Sequence, residues 1–550
     1  MRNRGQANGI TLKVYAGATG VLLAMDIDER LREDFLGFAI KRTHQTKQGA
    51  SVSRWIQGLL RFPKQKGKKL TPIGTNKAPL QKFRWSDYLV TPGKDYIYKL
   101  YALHGDYKSP TMTEGPDVAI TTESLTGTIH QVVFNRAAAA SQAYQKKFAG
   151  INPEDTDLHP TFRKLAQLWL ARNMDVTIKD FIQKAVDKNW ALDVAIYEIE
   201  LSWVAKELKK ALERGVTLRI LYHDKKDDEQ THENEKCIKS LPAEVKRGRV
   251  TNEIFHQKFI VLSNRESEDH AWNPTSVLTG TANFTFNGVY RQANVVHIVE
   301  DPPLAQQYHA LFNKLWDDCR SNLSLTRSYI ESENIIPAKG NDPATQVIFS
   351  PRENFGDTKK VVEILKDAKS DVLFCTAFAL HPDVLQALKP EEDDEIIRYG
   401  LQNTESKITG IHRRGEFVAA AYLKKGFESM VKESLAGQKG NLFIHLKTIV
   451  RDFTTNEPWV IVGSNNFSNA SSHDNDENML VIRGNTAVAD TYICEMMRLY
   501  DHYRFRWNQK RKWLVKKQGQ TKLRKDSKWT KPYFDPENLE YHERVRFSAP

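Results

Sequence analysis

Two short stretches carry residues whose types and spacing could do chemistry. FHQKFIVLSN opens an apolar run with His256 and Lys258, and IHLKTIVRD opens another with His445 and Lys447. In an extended strand, positions i and i+2 share a face, so each pair points into one cleft. A second apolar run follows each and ends in a Gly-Thr/Ser-x-Asn turn: Gly280, Thr281 and Asn283, then Gly463, Ser464 and Asn466. These types suit cleavage of a phosphodiester, which is anionic and gains charge on attack. Two lysines, two asparagines and the turn N–H groups could hold its oxygens without a metal. One histidine could attack phosphorus while the other protonates the leaving oxygen and then activates water.

A bare His-x-Lys is weak by itself. A third copy, His223 to Lys225, enters the charged stretch KKDDEQTHENE with no small-residue turn after it, and reads as a solvated loop. Glu198, in AIYEI at the end of an apolar run, could line the cleft but reads more simply as a charge at a helix N-terminus.

The elements around the two stretches recur in one order. TIKDFIQKAVDKNWALDVAIYEI predicts a helix then a strand over Asp193 to Ile199. WVAKELKKALERGV predicts an amphipathic helix ended by Gly215, and VTLRILYHD a strand. NRAAAASQAYQKKFAG is a strong helix former. This β-α-β texture predicts an α/β domain with a mainly parallel or mixed sheet. VVEILKDAKSDVLFCTAFAL repeats the helix and strand, NLFIHLKTIVRD answers EIFHQKFIVLSN, WVIVGSNNFS answers SVLTGTANFT, and ENMLVIRG answers ANVVHIVED. Four matching segments in one order predict an internal duplication.

Before these halves, GVLLAMDI, FLGFAIKR and the alternating Tyr96/Tyr98/Leu100/Ala102 face predict an antiparallel β-sandwich, weakly similar to fibronectin III or immunoglobulin-like modules. RFPKQKGKKLTPIGTNK reads as an exposed basic loop. The expected domains are residues 1–132 (sandwich), 133–335 (first half), 336–503 (second half) and 504–550 (basic-aromatic C-terminal tail).

At 550 residues the chain is too long for one ordinary core. Its four cysteines are widely spaced, which argues against a zinc or disulfide framework. The sequence contains no apolar run near membrane-spanning length and no signal-peptide pattern at its start, so a cytoplasmic location is expected. The net charge is +12, and residues 504–531 hold 12 Lys or Arg against Asp526 alone. Phe505, Trp507, Trp513 and Trp529 are interleaved with them, a composition that fits nucleic acid or, equally, tryptophans packed on the body.

The combination H-x-K-x4-D, then G-[ST]-x-N, resembles the phospholipase D superfamily over roughly residues 133–500. The second copy matches in full, with Asp452 and a downstream acid, Glu477. The first carries Ser263 where the aspartate stands and Ala293 at the position aligned with the acid, so the halves are expected to be chemically unequal. The resemblance implies a phosphohistidine intermediate, no cofactor or metal, and catalytic roles for His256, His445, Lys258, Lys447, Asp452 and Glu477. It implies phosphate binding by Gly280, Thr281, Asn283, Gly463, Ser464 and Asn466. In two-motif relatives the N-terminal histidine is the usual nucleophile, here His256. Glu477 is the expected orienter of His445, leaving His256 to Gln292, Asn294 or a group from elsewhere. Nucleic acid is the expected substrate and partner, with phospholipid head groups as the alternative. A non-catalytic binding protein with one degenerate half-site is the third reading. Two fused half-sites remove the need for a dimer, so a monomer is expected, with oligomerisation left open.

Overall fold

The structure is a computed structural model that describes all residues except 66–70, 137–143, 145–146, 149–150, 252, 321–322, 392–393, 421–443 and 515–521. Most of the helix expected over NRAAAASQAYQKKFAG and part of the basic loop near Lys64 lie outside these described residues.

The first 121 residues form two four-stranded antiparallel sheets. One runs Arg2–Ala7, Ile10–Ala16, Val21–Ile27, Arg84–Asp87; the other Thr111–Thr121, Asp95–His104, Phe35–Gln45, Ser51–Trp55. Tyr96, Tyr98, Leu100 and Ala102 point inward with Leu12, Val14, Leu23 and Phe38, so the period-two pattern is a core face. The first three strands form a consecutive meander, unlike the A-B-E-D order of immunoglobulin domains.

The two halves share one strand order. In the first it is His130–Phe134, Val295–Val299, Asn273–Gly280, Lys258–Asn264, Trp190–Ile196, Thr217–Asp224, Lys246–Val250. In the second it is Thr345–Ser350, Glu477–Arg483, Trp459–Gly463, Lys447–Arg451, Asp371–Thr376, Ile397–Gln402, Gly415–Ala419, with Gly410–His412 added at the edge. Among these strands, parallel pairing is confined to Trp190–Ile196, Thr217–Asp224 and Lys246–Val250 in the first half and to Asp371–Thr376, Ile397–Gln402 and Gly415–Ala419 in the second. The strands that carry the histidines and the glycine turns pair antiparallel, so both sheets are mixed. The strand beginning at Trp190 ends at Ile196, leaving Tyr197 and Glu198 beyond its tip.

One apolar core joins the halves: Phe259, Val261, Val277 and Val295 of the first pack with Val347, Val460, Val462 and Leu480 of the second. The helix Thr486–Leu514 runs through the expected boundary at residue 503 and buries Tyr492, Tyr500 and Tyr503 in this core. The chain beyond it does not hang free. Trp529 enters the sandwich core against Phe35 and Phe83. Phe547, in the helix Leu539–Ser548, meets Tyr15, Tyr399 and Phe453. Among the described residues, no helix is long and apolar enough to cross a membrane.

Candidate active site

The two His-x-Lys segments enter their strands from the seam between the halves. There the chain ahead of each strand makes an isolated bridge to the other half, Phe255 to Asp476 and Ala293 to Ile444. The His256 amide donates to Asp476 O at 3.0 Å, and the His445 amide to Ala293 O at 3.1 Å. Each histidine is therefore supported by the opposite half.

This crossing decides the partners. His256 Nδ1 donates to Glu477 Oε2 at 2.8 Å, so the acid of the second motif serves the histidine of the first. His445 Nδ1 lies 3.0 Å from Asn294 Oδ1 and 3.1 Å from Thr281 O, both acceptors. With Nδ1 carrying the proton in both rings, each imidazole keeps Nε2 for the cleft. The expectation that Glu477 orients His445 is thus corrected. So is the alignment with Ala293. Gly280 pairs with Val296 and Gly463 with Met479, so the residue in the acid's place is two before Val296, namely Asn294. A slip of one residue along a strand changes its face, and Ala293 stands one residue out of step with the acid's place. A countable signal was present: Asn294 and Glu477 each stand 14 residues after the glycine of their turn.

The turns explain themselves sterically. A Cβ on Gly280 would lie 2.3 Å from Val295 O, and one on Gly463 2.2 Å from Asn478 O. Those same carbonyls accept the amides of Thr281 and Ser464, each at 3.0 Å. The two hydroxyls face the orienting residues: Thr281 Oγ1 donates to Asn294 Oδ1 at 2.8 Å, and Ser464 bonds the Glu477 carboxyl. Ser471 Oγ gives Glu477 a further bond at 3.0 Å. Gly280, Gly463, Thr281 and Ser464, expected to bind phosphate, are instead placed to shape the turns and hold Asn294 and Glu477.

Lys258 Nζ and Lys447 Nζ bond the carbonyls of their own motif histidines, at 3.0 and 2.9 Å. Asn283 Nδ2 makes a short bond to Glu198 Oε2. Glu198 therefore belongs to the cleft. Tyr197 packs edge-on against His256 with centroids 5.1 Å apart, while Phe378 does the same to His445 at 6.2 Å. His223, read as part of a solvated loop, is instead buried behind Tyr197, and its Nδ1 accepts the Phe255 amide at 3.2 Å.

Asp452 stands apart from this group. It follows the strand Lys447–Arg451, at the opposite end from His445, and accepts the amides of Lys369 and Ser370 at 2.8 Å each and Arg451 Nε at 2.8 Å. Its geometry is that of a loop clamp, which corrects its expected catalytic place. Ser263 is likewise buried at the distal end of its strand, so its difference from Asp452 does not touch the cleft.

Burial sets the electrostatics. Both histidines are held well below the ordinary imidazole range, first by desolvation and then by the ammonium groups of Lys258 and Lys447. Burial pulls Lys258 down to about 8, against the pull of Glu477 and Glu198, and lowers Lys447 strongly. Glu477 and Glu198 are each pushed up to about 7 by burial, opposed chiefly by Lys258. Such a concentration of groups shifted toward neutrality is typical of sites that move protons.

Of the four aromatics of the basic C-terminal stretch, Trp507 and Trp529 are buried, in line with the reading that its tryptophans pack on the body. The side chains of Phe505 and Trp513 lie outside the described residues.

A fold built twice around a seam with one His-x-Lys from each side defines a class, and comparison with known proteins agrees. The family described as "Cardiolipin synthase, PLD-like domain" matches residues 178–316 and again 361–500, together just over half of the chain. The chain belongs to the phospholipase D superfamily, whose members act on phosphodiester bonds. A curated relative, the mitochondrial cardiolipin hydrolase of Drosophila melanogaster, is 24% identical over 204 residues, covering 34% of this chain and 75% of the relative. Among solved structures, the phosphatidylserine synthase of Haemophilus influenzae Rd KW20 is 12% identical with a TM-score of 0.41, covering 60% of this chain and 85% of that one. The polyphosphate kinase of Porphyromonas gingivalis is 11% identical with a TM-score of 0.40 over 56% of this chain, which spans only 42% of the kinase.

Proposed function

We propose that the chain hydrolyses phosphodiesters through a phosphohistidine on His256, without a metal, and that its substrate is a nucleic acid. The observation that carries the assignment of roles is the His256–Glu477 contact across the seam. A carboxylate on Nδ1 raises the nucleophilicity of Nε2 and neutralises the ring when it becomes a phosphohistidine. His445 rests on neutral acceptors, which leaves it the better proton donor. In the first step His256 Nε2 bonds to phosphorus, the P–O bond breaks with its electrons on the leaving oxygen, and His445, protonated on both nitrogens at this step, gives its Nε2 proton to that oxygen. In the second, His445 takes a proton from water, the hydroxyl oxygen bonds to phosphorus, and the P–N bond breaks to restore His256. Lys258 and Lys447 supply the positive charge that a metal would otherwise bring.

Two features support nucleic acid: the charge of residues 504–531, and the ring of Phe378, 45% exposed beside His445, as a surface on which a base could stack. The relative's name, cardiolipin hydrolase, favours a second reading, cleavage of a phospholipid. The test is incubation in EDTA with labelled single- and double-stranded nucleic acid or with phosphatidylcholine and cardiolipin vesicles, against a His445→Ala control. Nucleic-acid cleavage lost in the control supports the first reading. Lipid cleavage alone overturns it in favour of the second, and binding without cleavage of either would make the chain a binding protein.

A further inference from the structure

Lys258 pairs across the sheet with Ile196, and Lys447 with Thr376. Two residues further along, the equivalent positions are Glu198 and Phe378. The duplication thus loses its symmetry at one point of the cleft wall, with a carboxylate in one half and an aromatic ring in the other. Glu198 accepts a bond from Asn283 Nδ2, a donor of the turn expected to bind phosphate. The groups that act on it are Lys258 first, then Glu200 on its own segment and Lys447. The other titratable groups around it are Glu477, His256, His445, Tyr197 beside His256 and, behind Tyr197, His223.

With both lysines protonated, both glutamates ionised and both imidazoles neutral, these charges cancel. A singly charged diester leaves the cleft one charge negative; a dianion leaves it two. We propose that Glu198 is a specificity-determining residue, admitting a monoanionic phosphodiester and disfavouring dianions such as phosphate monoesters or inorganic phosphate. The identity of the favoured ligand rests on the phosphodiesterase reading above.

An entering phosphoryl oxygen competes with the Glu198 carboxylate for Asn283. One proton taken up by Glu198, whose carboxyl burial has pushed to about 7, restores neutrality for a monoanion. A dianion needs a second proton, and placing it on Glu477 would weaken the contact with His256. Like charges in a desolvated cleft then act against the dianion.

Binding of dimethyl phosphate, a monoanion, and of sulfate, a dianion, to the full chain tests this, because neither titrates near neutral pH. In the wild type the affinity ratio of sulfate to dimethyl phosphate should fall as pH rises through about 7. Glu198→Gln, which keeps the bond to Asn283, should raise that ratio by about tenfold or more and flatten its pH dependence. Glu198→Asp should keep the discrimination. A ratio unchanged in Glu198→Gln, or the same loss of affinity for both anions, would overturn the proposal and leave Glu198 structural. If Glu198→Gln fails to fold, a wild-type ratio that is flat with pH overturns it equally. Should the chain cleave no diester while the ratios behave as stated, the functional reading fails and the charge rule stands.

Discussion

At the scale of single residues, the chemistry turns on which acceptor each imidazole holds. The Glu477 carboxylate, bonded by Ser464 and Ser471, fixes His256 and not the histidine of its own motif. Glu477→Gln should keep the shape of this contact but lower kcat by roughly 10²-fold or more, as when an orienting carboxylate becomes an amide elsewhere. The pH profile should change with it. Glu477 is raised to about 7, so it is protonated below that value and ionised above it. Wild-type kcat should therefore climb as pH rises through about 7, and the Gln variant should lose that limb. Asp452→Asn is the contrast. Its loop clamp should weaken by about 1–2 kcal/mol in urea unfolding, with KM and kcat of the folded protein nearly unchanged. If activity fell as far as in Glu477→Gln, the clamp assignment would be wrong. His256, His445, the lysines and Glu477 were legible in the sequence because strand periodicity and turn spacing are local. Which acid meets which histidine was not, because it depends on how two chain segments cross a seam 221 residues apart in sequence. Glu198 was visible only as a charge past a strand, since nothing local places it against Asn283.

Among the elements, the two sheets are locked at the seam by a small polar cluster inside an apolar core. Asn478, the residue after Glu477, donates to Gln257 Oε1 at 2.7 Å and accepts from Thr279 Oγ1 at 3.0 Å and Tyr308 OH at 3.2 Å. It thereby ties the second half to the strand tip that carries His256. Nearby, Arg249 Nε meets Asp476 Oδ2 at 3.2 Å with both groups buried. Asn478→Ala leaves three buried partners unpaired, and should cost about 2–3 kcal/mol of stability while also lowering kcat. Denaturant unfolding beside a rate measurement checks both. Activity that stayed intact would mean the seam need not be rigid for catalysis. The duplicated order of helices and strands was readable from four matching segments. The antiparallel pairing of the site strands was not, because hydrophobic runs do not reveal the direction of their neighbours.

For the whole molecule, the sandwich and the C-terminal segment are joined structurally: Trp529 Nε1 donates to Phe35 O at 3.1 Å, and its ring lies in the sandwich core. Trp529→Ala should lower stability by about 3 kcal/mol with no loss of nucleic-acid affinity in the folded protein. The reverse result would return this tryptophan to the role of a stacking surface. Composition alone could not separate these roles, since a basic-aromatic stretch reads the same whether its rings face a core or a ligand. The cleft lies where the two halves meet, and each half supplies what the other's histidine needs. That exchange is the central claim. Its most direct test is to quench a turnover with a generic phosphodiester, using His445→Ala to slow the second step, and to map the phosphorylated residue by mass spectrometry. The account predicts the phosphoryl group on His256 and its loss in Glu477→Gln. A phosphoryl group on His445 in the wild type would contradict it.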